Sequence, residues 1–333
     1  AATAATAATA ELAAEVALNT NGLDFSKYVS IGASFTAGYT DGAMFKAAQE
    51  NSFPNILAGK FGTEFKQPLM NDNIGGLVYG GTAVQPPRFY FNGAGPARLP
   101  AMPTTELTAV LSGPFNNFGA PGAKSFHLGV AGYGQLNPYF GRMASSPGAS
   151  VMGDALAQSP TFFTLSEIGG NDVLGYALSG GSGVDQTGNY NPATYGSSDI
   201  TDPNVFASVF SGMVTALTAN GAKGVVANVP YITNLANFTT VPYNALDPSN
   251  PALAPQIDAL NTQLYGPLKN IFTAYGEPNR INVLSKTAAN PVLIFDENAT
   301  DMSAQITGAL TPVLGAPTAS AFGAIFGKAR QAT

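Results

Sequence analysis

The sequence predicts an α/β fold in which a doubly wound parallel sheet is covered by helices, because short apolar runs alternate with segments of helical periodicity. The clearest helix begins at Pro203, and its apolar residues recur at helical spacing as far as Leu217. It leads into an unbroken apolar run over 224–230, which is typical of a strand buried on both faces of a parallel sheet. A helix followed directly by such a strand indicates a βαβ crossover.

The other elements follow from local signals. Residues 28–32 are a β-prone run that ends in glycine, and Ser52 followed by Pro54 is typical of the start of a helix that continues to Phe61. In chain order, the remaining predicted elements are a strand over 161–165, a helix over 172–178, a long helix over 257–271 with a kink at Pro267, strands over 281–284 and 292–295, and a final helix-like run over 323–333 without a closing strand.

The composition along the chain indicates where the linker, the domain and its insertions lie. The first ten residues are an Ala/Thr repeat without an amphipathic face, so we interpret residues 1–23 as a linker. One domain is predicted over 24–333, with Gly-, Pro- and Asn-rich insertions at about 64–114 and 179–201. Long structured loops over a scaffold usually shape a binding surface.

The composition also excludes several classes of function. Lys and Arg total 14 against 20 Asp and Glu, and no basic run exists, so nucleic acid is not an expected partner. The absence of cysteine excludes disulfides, thiolate metal sites and cysteine nucleophiles. No clustered His, Cys or carboxylate residues signal a metal site, and we expect no cofactor. No apolar stretch reaches 18 residues, and the N-terminus has no intact signal peptide.

Three short motifs lie at predicted transitions from strand to loop. The segments GASF, NFGAPGA and IGGND contain Ser34, Gly122 and Asn171, in that order along the chain. In an open parallel sheet, reactive groups gather outside the carboxyl ends of the strands. Each motif alone also has a simpler explanation, which is a helix-capping serine, a Pro-Gly turn and an Asx-type helix cap respectively.

Together and in this order, the three motifs resemble the blocks of the SGNH (GDSL-type) superfamily of serine hydrolases. The resemblance implies a flavodoxin-like, three-layer α/β fold and carboxylic ester hydrolysis of the esterase or lipase type. It makes Ser34 the nucleophile, with the backbone N–H of Gly122 and the side-chain amide of Asn171 as oxyanion donors. One such donor typically contributes about 3 to 4 kcal/mol. The chain departs from the superfamily at Ala33 and Phe35, where Asp and Leu are usual.

In closer detail, the chain resembles SGNH hydrolases and lipoproteins of Bacteroidetes-type bacteria. The segments that carry this resemblance are KYVSIGASFTAGYTDGAMF, QENSFPNILA, GAPGAKSFHL and NPYFGRMASSP. It implies secretion or export to the periplasm or outer membrane, with a membrane tether through an N-terminal lipid. The implied substrate is an acyl ester or an acylated glycan.

A serine nucleophile needs a base, which the superfamily supplies as a histidine in a C-terminal D-x-x-H block. This chain has no such block, and its single histidine, His127, lies between Gly122 and Asn171. His127 is one alternative base, because a triad is defined by geometry, although aromatic and aliphatic neighbours are typical of a structural histidine. We expect the base to lie in a segment after Thr333, so that the 24–333 domain is C-terminally incomplete and reacts weakly.

Further expectations follow from the absence of a base. Ser34 is expected in a shallow cleft lined by the 64–114 insertion, without another residue that can accept its proton. The late carboxylates Asp296, Glu297 and Asp301 are interpreted as solvated loop charges.

Two other functions stay open. The chain could be a non-catalytic cell-envelope binding protein whose insertions hold a glycan or a protein on aromatic side chains. The aromatic candidates are Tyr90, Phe91, Tyr133, Tyr139, Phe140 and Tyr190. In the third interpretation, the chain is a structural surface module and all three motifs are turns.

Overall fold

The computed structural model describes residues 19–240, 242–296 and 298–332, which form two compact units. The first unit contains the described residues up to Asp172, together with Gln186–Tyr195 and Thr201–Val229. The second contains Val173–Asp185, Gly196–Ile200 and the described residues from Pro230 onward. Most of the predicted 1–23 linker, as well as Glu297, lies outside the described residues.

The first unit mixes strands and helices. Its strands are β1 (Tyr28–Gly32), β2 (Leu77–Tyr79), β3 (Thr82–Gln85), β4 (Phe89–Phe91), β5 (Pro96–Arg98), β6 (Asn117–Gly119), β7 (Phe162–Leu165) and β8 (Lys223–Val226). Its helices are α1 (Ser34–Ala37), α2 (Lys46–Glu50), α3 (Phe53–Phe61), α4 (Pro138–Gly141), α5 (Val151–Ala157), α6 (Gly170–Leu178), which continues into the second unit, and α7 (Pro203–Thr218). The predicted α/β class is therefore confirmed.

A four-stranded parallel sheet in the order β6-β1-β7-β8 is the centre of this unit. Gly32 at the end of β1 pairs with Gly119 at the end of β6, and Ile31 pairs with Leu165 at the end of β7. The carboxyl ends of these three strands consequently lie at one edge of the sheet. Apolar residues of β1 and β7 pack with α5 and α7 in one core, which includes Val29, Ile31, Phe163, Leu165, Val151, Met213 and Leu217.

Local signals account for the helices that were predicted here. At the start of α7, the side chain of Asp202 accepts hydrogen bonds from the N–H groups of Asn204 and Val205, and Pro203 occupies the first turn. The helix α3 has the predicted bounds, but Ser52 does not cap it through its side chain. Its hydroxyl instead donates to Gln67 Oε1, 3.2 Å away.

The strand predicted at 224–230 is present in part, but the prediction that both of its faces are buried is wrong. It ends at Val226, and all four residues of β8 are exposed, with Val225 at 56%. β8 is the last strand in the order of the sheet, and none of its residues belongs to an apolar core cluster of the described residues. An apolar run indicates a strand but carries no information about which neighbours cover it.

The insertion predicted at 64–114 contains two antiparallel hairpins, β2–β3 and β4–β5. In the second hairpin, Phe89 pairs with Arg98 and Phe91 with Pro96. The hairpins bring Gln85 and Arg98 to the ends of β3 and β5.

The second unit contains mainly helices. Its elements are α8 (Ala236–Thr239), α9 (Ala254–Leu260), α10 (Gly266–Ala274), β9 (Leu293–Phe295), α11 (Ser303–Leu314), α12 (Ala316–Phe326) and β10 (Ala329–Gln331). A π-helical turn, Asn261–Tyr265, separates α9 from α10 just before Pro267. The interruption expected from this proline is therefore present, because a proline cannot donate the hydrogen bond that a regular helix requires.

Three late predictions need correction. Residues 281–284 form no strand, because the backbone of Leu284 pairs with the side chain of Asn261 instead. The run predicted as helical over 323–333 is helical only to Phe326, since β10 follows α12 and pairs antiparallel with β9. Asp296 is not a free solvated charge, because its carboxylate forms an ion pair with Arg330 at 3.0 Å.

Candidate active site

Ser34 follows β1 at the point where the chain turns into α1. The turn is tight: a Cβ on Gly32 would lie 2.1 Å from Thr36 Oγ1. Ser34 is half-buried, and its hydroxyl forms no hydrogen bond with another described residue. The backbone N–H of Ser34 also has no partner among those residues. Both groups of Ser34 are thus available to a ligand.

Gly122 lies in the loop that follows β6. Its φ of +78° is in the left-handed region, which favours glycine, and the residue is exposed. The side chain of Asn137 donates from Nδ2 to the carbonyl of Pro121 at 2.9 Å and so fixes this turn. Within the described part of the chain, the Gly122 N–H has no acceptor, which leaves it free to bind an anionic oxygen.

Ser34 and Gly122 line the same cleft, which has a volume of about 440 Å³. The other lining residues are Tyr39, Gly42, Gln85, Pro86, Arg98, Pro121 and Tyr139. Three of these, Gln85, Pro86 and Arg98, belong to the insertion over 64–114. Neither a carboxylate nor a histidine is among the lining residues, so the cleft offers Ser34 no ordinary general base.

Asn171 lies in the first turn of α6, after β7. Its Nδ2 donates to the carbonyl of Ala123 at 2.9 Å, and Ala123 is the neighbour of Gly122. An amide nitrogen carries two hydrogens, so one remains for a second acceptor. Asn171 does not itself line the cleft; it is joined to the loop that does.

Asp172 also connects the segment after β7 with the loop after β6, through two hydrogen bonds where Asn171 makes one. Its buried carboxylate accepts from Ser125 twice, at 2.9 Å from the backbone N–H and at 2.7 Å from the hydroxyl. It therefore does not serve as the Asx-type helix cap that the sequence suggested. It binds the loop after β7 to the loop after β6.

His127 has a structural position. Its Nδ1 accepts from the Lys124 N–H at 3.1 Å, and its ring stacks on Tyr133 with centroids 4.9 Å apart. Burial, assisted by the positive charge of Lys124, lowers the pKa of His127, while Asp172 acts in the opposite direction. The imidazole thus accepts a hydrogen bond within its own turn, and it is not among the residues that line the cleft of Ser34.

Glu167 is the residue of this site that the sequence interpretation missed. Its carboxylate accepts from the backbone N–H of Phe35, 2.9 Å from Oε2, and from that of Thr36 at 3.3 Å. It therefore binds the turn that carries Ser34. The available signal was a lone carboxylate between the end of β7 and the IGGND motif.

Glu167 combines a strained backbone conformation with a buried carboxylate. Its φ is +60°, a conformation that non-glycine residues rarely adopt. Burial raises its pKa to about 7, although the backbone hydrogen bonds from Phe35, Thr36 and Ala33 oppose the shift. The carboxylate next to the Ser34 turn therefore changes its charge near neutral pH.

Glu167→Gln is expected to reduce the pH dependence of stability. A raised pKa in the folded state means that folding favours the protonated acid, so its contribution is complete below about pH 4.5 and is lost as the pH rises through 7. The variant should match the parent protein at pH 5 and exceed it in melting temperature at pH 8. Thermal unfolding followed by circular dichroism measures this difference. Glu64→Gln, at an exposed carboxylate, is the control; an equal gain there would contradict the assignment.

In the described part of the chain, no three His, Asp or Glu side chains are grouped so that they could hold a metal ion. The described helices include none that is long and apolar enough to cross a membrane. Compared with family models, curated protein sequences and solved structures, the chain has no significant match.

Proposed function

We propose that this protein is a serine ester hydrolase of the SGNH type that forms a seryl acyl-enzyme. One observation carries the proposal: the uncommitted hydroxyl of Ser34 and the uncommitted N–H of Gly122 line one cleft at the carboxyl edge of a parallel sheet. That edge is where open α/β sheets bind their ligands. The resemblance of the three motifs to SGNH blocks supplies the reaction class.

The strand order supports the proposed flavodoxin-like fold. Counted among the parallel strands alone, the order β6-β1-β7-β8 reads 2-1-3-4. The flavodoxin-like order is 2-1-3-4-5, so the sheet agrees with its first four strands. We further propose, from the sequence resemblance alone, that the protein acts in the cell envelope or outside the cell.

The proposed reaction has two steps. In the first, Ser34 Oγ attacks the ester carbonyl carbon, its proton passes to a base, and the alcohol leaves with a proton. The oxygen of the tetrahedral intermediate accepts from the backbone N–H groups of Gly122 and Ser34. The resemblance adds the second hydrogen of Asn171 Nδ2, although Asn171 does not line the cleft. In the second, water attacks the seryl ester, which releases the acid and restores the Ser34 hydroxyl.

The base is not among the cleft residues. Tyr39 and Tyr139 line the cleft, but burial raises the pKa of both phenols, so neither is a proton acceptor at neutral pH. An oxyanion site without a base still accelerates acyl transfer by roughly 10³-fold over water in serine proteases. We therefore expect weak hydrolysis that depends on Ser34.

The decisive experiment combines labelling with turnover. A fluorophosphonate probe should modify Ser34, as located by peptide mass spectrometry, and p-nitrophenyl acetate should be hydrolysed slowly. Ser34→Ala should abolish both, because it removes the nucleophile. Ser112→Ala, at an exposed loop serine, should change neither. Hydrolysis by the Ser34→Ala protein at the same rate as by the parent protein would overturn the proposal.

A non-catalytic binding protein is the second candidate, and the absence of a base in the cleft favours it. The aromatic surface proposed for it is smaller than the sequence suggested, because Tyr133, Tyr139 and Phe140 are buried. Phe91 and Tyr190 are exposed and remain available. Binding of an acetylated glycan that survives Ser34→Ala, without any labelling of Ser34, would favour this second function.

A further inference from the structure

Arg98 brings a positive charge to the cleft of Ser34 and Gly122. Its guanidinium lies over the ring of Phe89, with the central carbon 3.7 Å from the ring centroid. Its Nη1 donates to the carbonyl oxygens of Pro87 at 2.7 Å and of Gly42 at 3.1 Å. These contacts hold the planar cation in one orientation although the residue is exposed.

The backbone around Arg98 is shaped to admit this stack. Gly42 has a φ of +70°, and a Cβ at that position would lie 2.9 Å from the ring of Phe89 and 3.1 Å from Arg98 Nη1. A larger residue would be strained at this φ and would crowd the ring and the guanidinium. The hairpin pairing of Phe89 with Arg98 places both side chains at this point.

The donors of Arg98 are only partly used. A guanidinium has five N–H groups, and the two on Nη1 bind the carbonyl oxygens of Pro87 and Gly42. The three on Nε and Nη2 have no acceptor within the described residues, and Arg98 pairs with no carboxylate there. No acidic residue lines the cleft.

A second observation places this charge near the polar groups of the cleft. Burial raises the pKa of the Tyr39 phenol, and the positive charge of Arg98 opposes that increase. Tyr39 lines the cleft together with Ser34, so the field of Arg98 reaches the same space. Beside it, Gln85 accepts a hydrogen bond from Tyr139 through Oε1, which leaves the Gln85 amide N–H groups as neutral donors.

We propose that the cleft selects esters that carry a second, anionic group, a carboxylate, which Arg98 binds while the ester carbonyl lies at Ser34. A planar guanidinium with free adjacent donors matches a carboxylate in two hydrogen bonds, whereas a neutral ester offers it no charge. The inference rests on the proposed hydrolase for its chemistry. It adds the substrate class, which is the half-ester of a dicarboxylic acid or an ester with an equivalent carboxylate.

The first test measures binding without catalysis. Monomethyl adipate and dimethyl adipate differ by one charge and one methyl group, and their binding to the Ser34→Ala protein can be followed by ligand-detected NMR. We expect the monoanion to bind about tenfold more tightly at low salt, because hydrogen bonds to charged groups contribute this much. The preference should shrink as salt is added, since the exposed charge is screened.

Variants assign the preference to Arg98. Arg98→Gln should bring the ratio of the two affinities close to one, and Arg98→Lys should retain part of it. Arg88→Gln is the matched control, because Arg88 also lies over an aromatic ring of this region, at 5.1 Å from Phe45, but does not line the cleft. Circular dichroism checks that each variant is folded. A ratio near one in the Ser34→Ala protein itself would overturn the inference without any Arg98 variant.

The second test uses turnover and separates the two proposals. With Ser34 intact, 4-nitrophenyl hydrogen adipate should exceed its methyl ester in kcat/KM by the same factor. If the ligands bind through Arg98 but no ester is hydrolysed, the inference of an anion site stands and the proposed hydrolase is overturned. If hydrolysis depends on Ser34 but both esters react equally fast, the proposed hydrolase stands and the inference of an anion site is overturned.

Discussion

Replacing Gly119 with alanine is expected to destabilise the first unit by about 3 kcal/mol or more. Gly119 ends β6, is buried, and faces the backbone of α1. A Cβ at this position would lie 2.2 Å from the Ala37 nitrogen and 2.6 Å from its Cα. Main-chain atoms cannot rotate away as side chains do, so α1 would have to move away from β6.

The loss is measured as the free energy of unfolding in urea, followed by circular dichroism. Gly212→Ala is the control, because Gly212 lies in α7, is exposed, and a Cβ there would meet nothing within 4 Å. Alanine in a helix interior should stabilise by about 1 kcal/mol, so the two glycines should give opposite signs. Equal and small effects would show that α1 does not lie this close to β6. Because α1 begins at Ser34, a folded Gly119→Ala protein should also label more slowly with a fluorophosphonate.

Replacing Asp172 with alanine is expected to cost about 3 kcal/mol. The substitution would leave the buried N–H and hydroxyl of Ser125 without acceptors. It would also remove two of the hydrogen bonds that join the loop of Gly122 to the turn that carries Asn171, and leave the one from Asn171 Nδ2 to Ala123. We therefore expect a lower free energy of unfolding and, in the protein that remains folded, a lower rate of labelling at Ser34.

A second carboxylate in the first unit provides a close control. Asp154 is buried and accepts from the N–H of Ser145 at 2.9 Å and from its hydroxyl at 2.5 Å, away from the cleft. Asp154→Ala should lower stability by a similar amount and leave the labelling of Ser34 unchanged. If both variants slow labelling equally, the effect is one of stability and the loop connection is not specific. Adding Ser125→Ala to Asp172→Ala should recover part of the loss, since one unpaired donor disappears.

Much of the scaffold could be predicted because its signals are local. The bounds of β1 follow from a short apolar run closed by glycine, and those of α3 from a proline in its first turn. The start of α7 at Pro203 follows from the apolar residues that recur at helical spacing after it, and the structure adds Asp202 as its cap. In each case the residues that decide the structure lie within a few positions of the element.

Predictions failed where distant residues decide the outcome. The apolar composition of β8 indicated burial, but its side chains are exposed and belong to no apolar core cluster of the described residues. The segment at 281–284 has strand-like residues, yet the side chain of Asn261 binds the N–H and the carbonyl of Leu284, which a neighbouring strand would otherwise bind. Half of the aromatic residues considered for a binding surface are buried by packing that no sequence pattern reveals.

The sequence by itself determined that Ser34 and Asn171 follow strands, because apolar runs precede them in the chain, whereas the strand before Gly122, β6, was not among the predicted elements. Only the tertiary structure decided that Ser34 and Gly122 share a cleft, through the parallel pairing of Gly32 with Gly119. It alone brought Arg98 to that cleft from a hairpin 64 positions after Ser34 (98 − 34). It also set Glu167 against the Ser34 turn. Side-chain chemistry is written in the sequence, whereas proximity and burial, which determine charge and pKa, arise only when distant segments pack together.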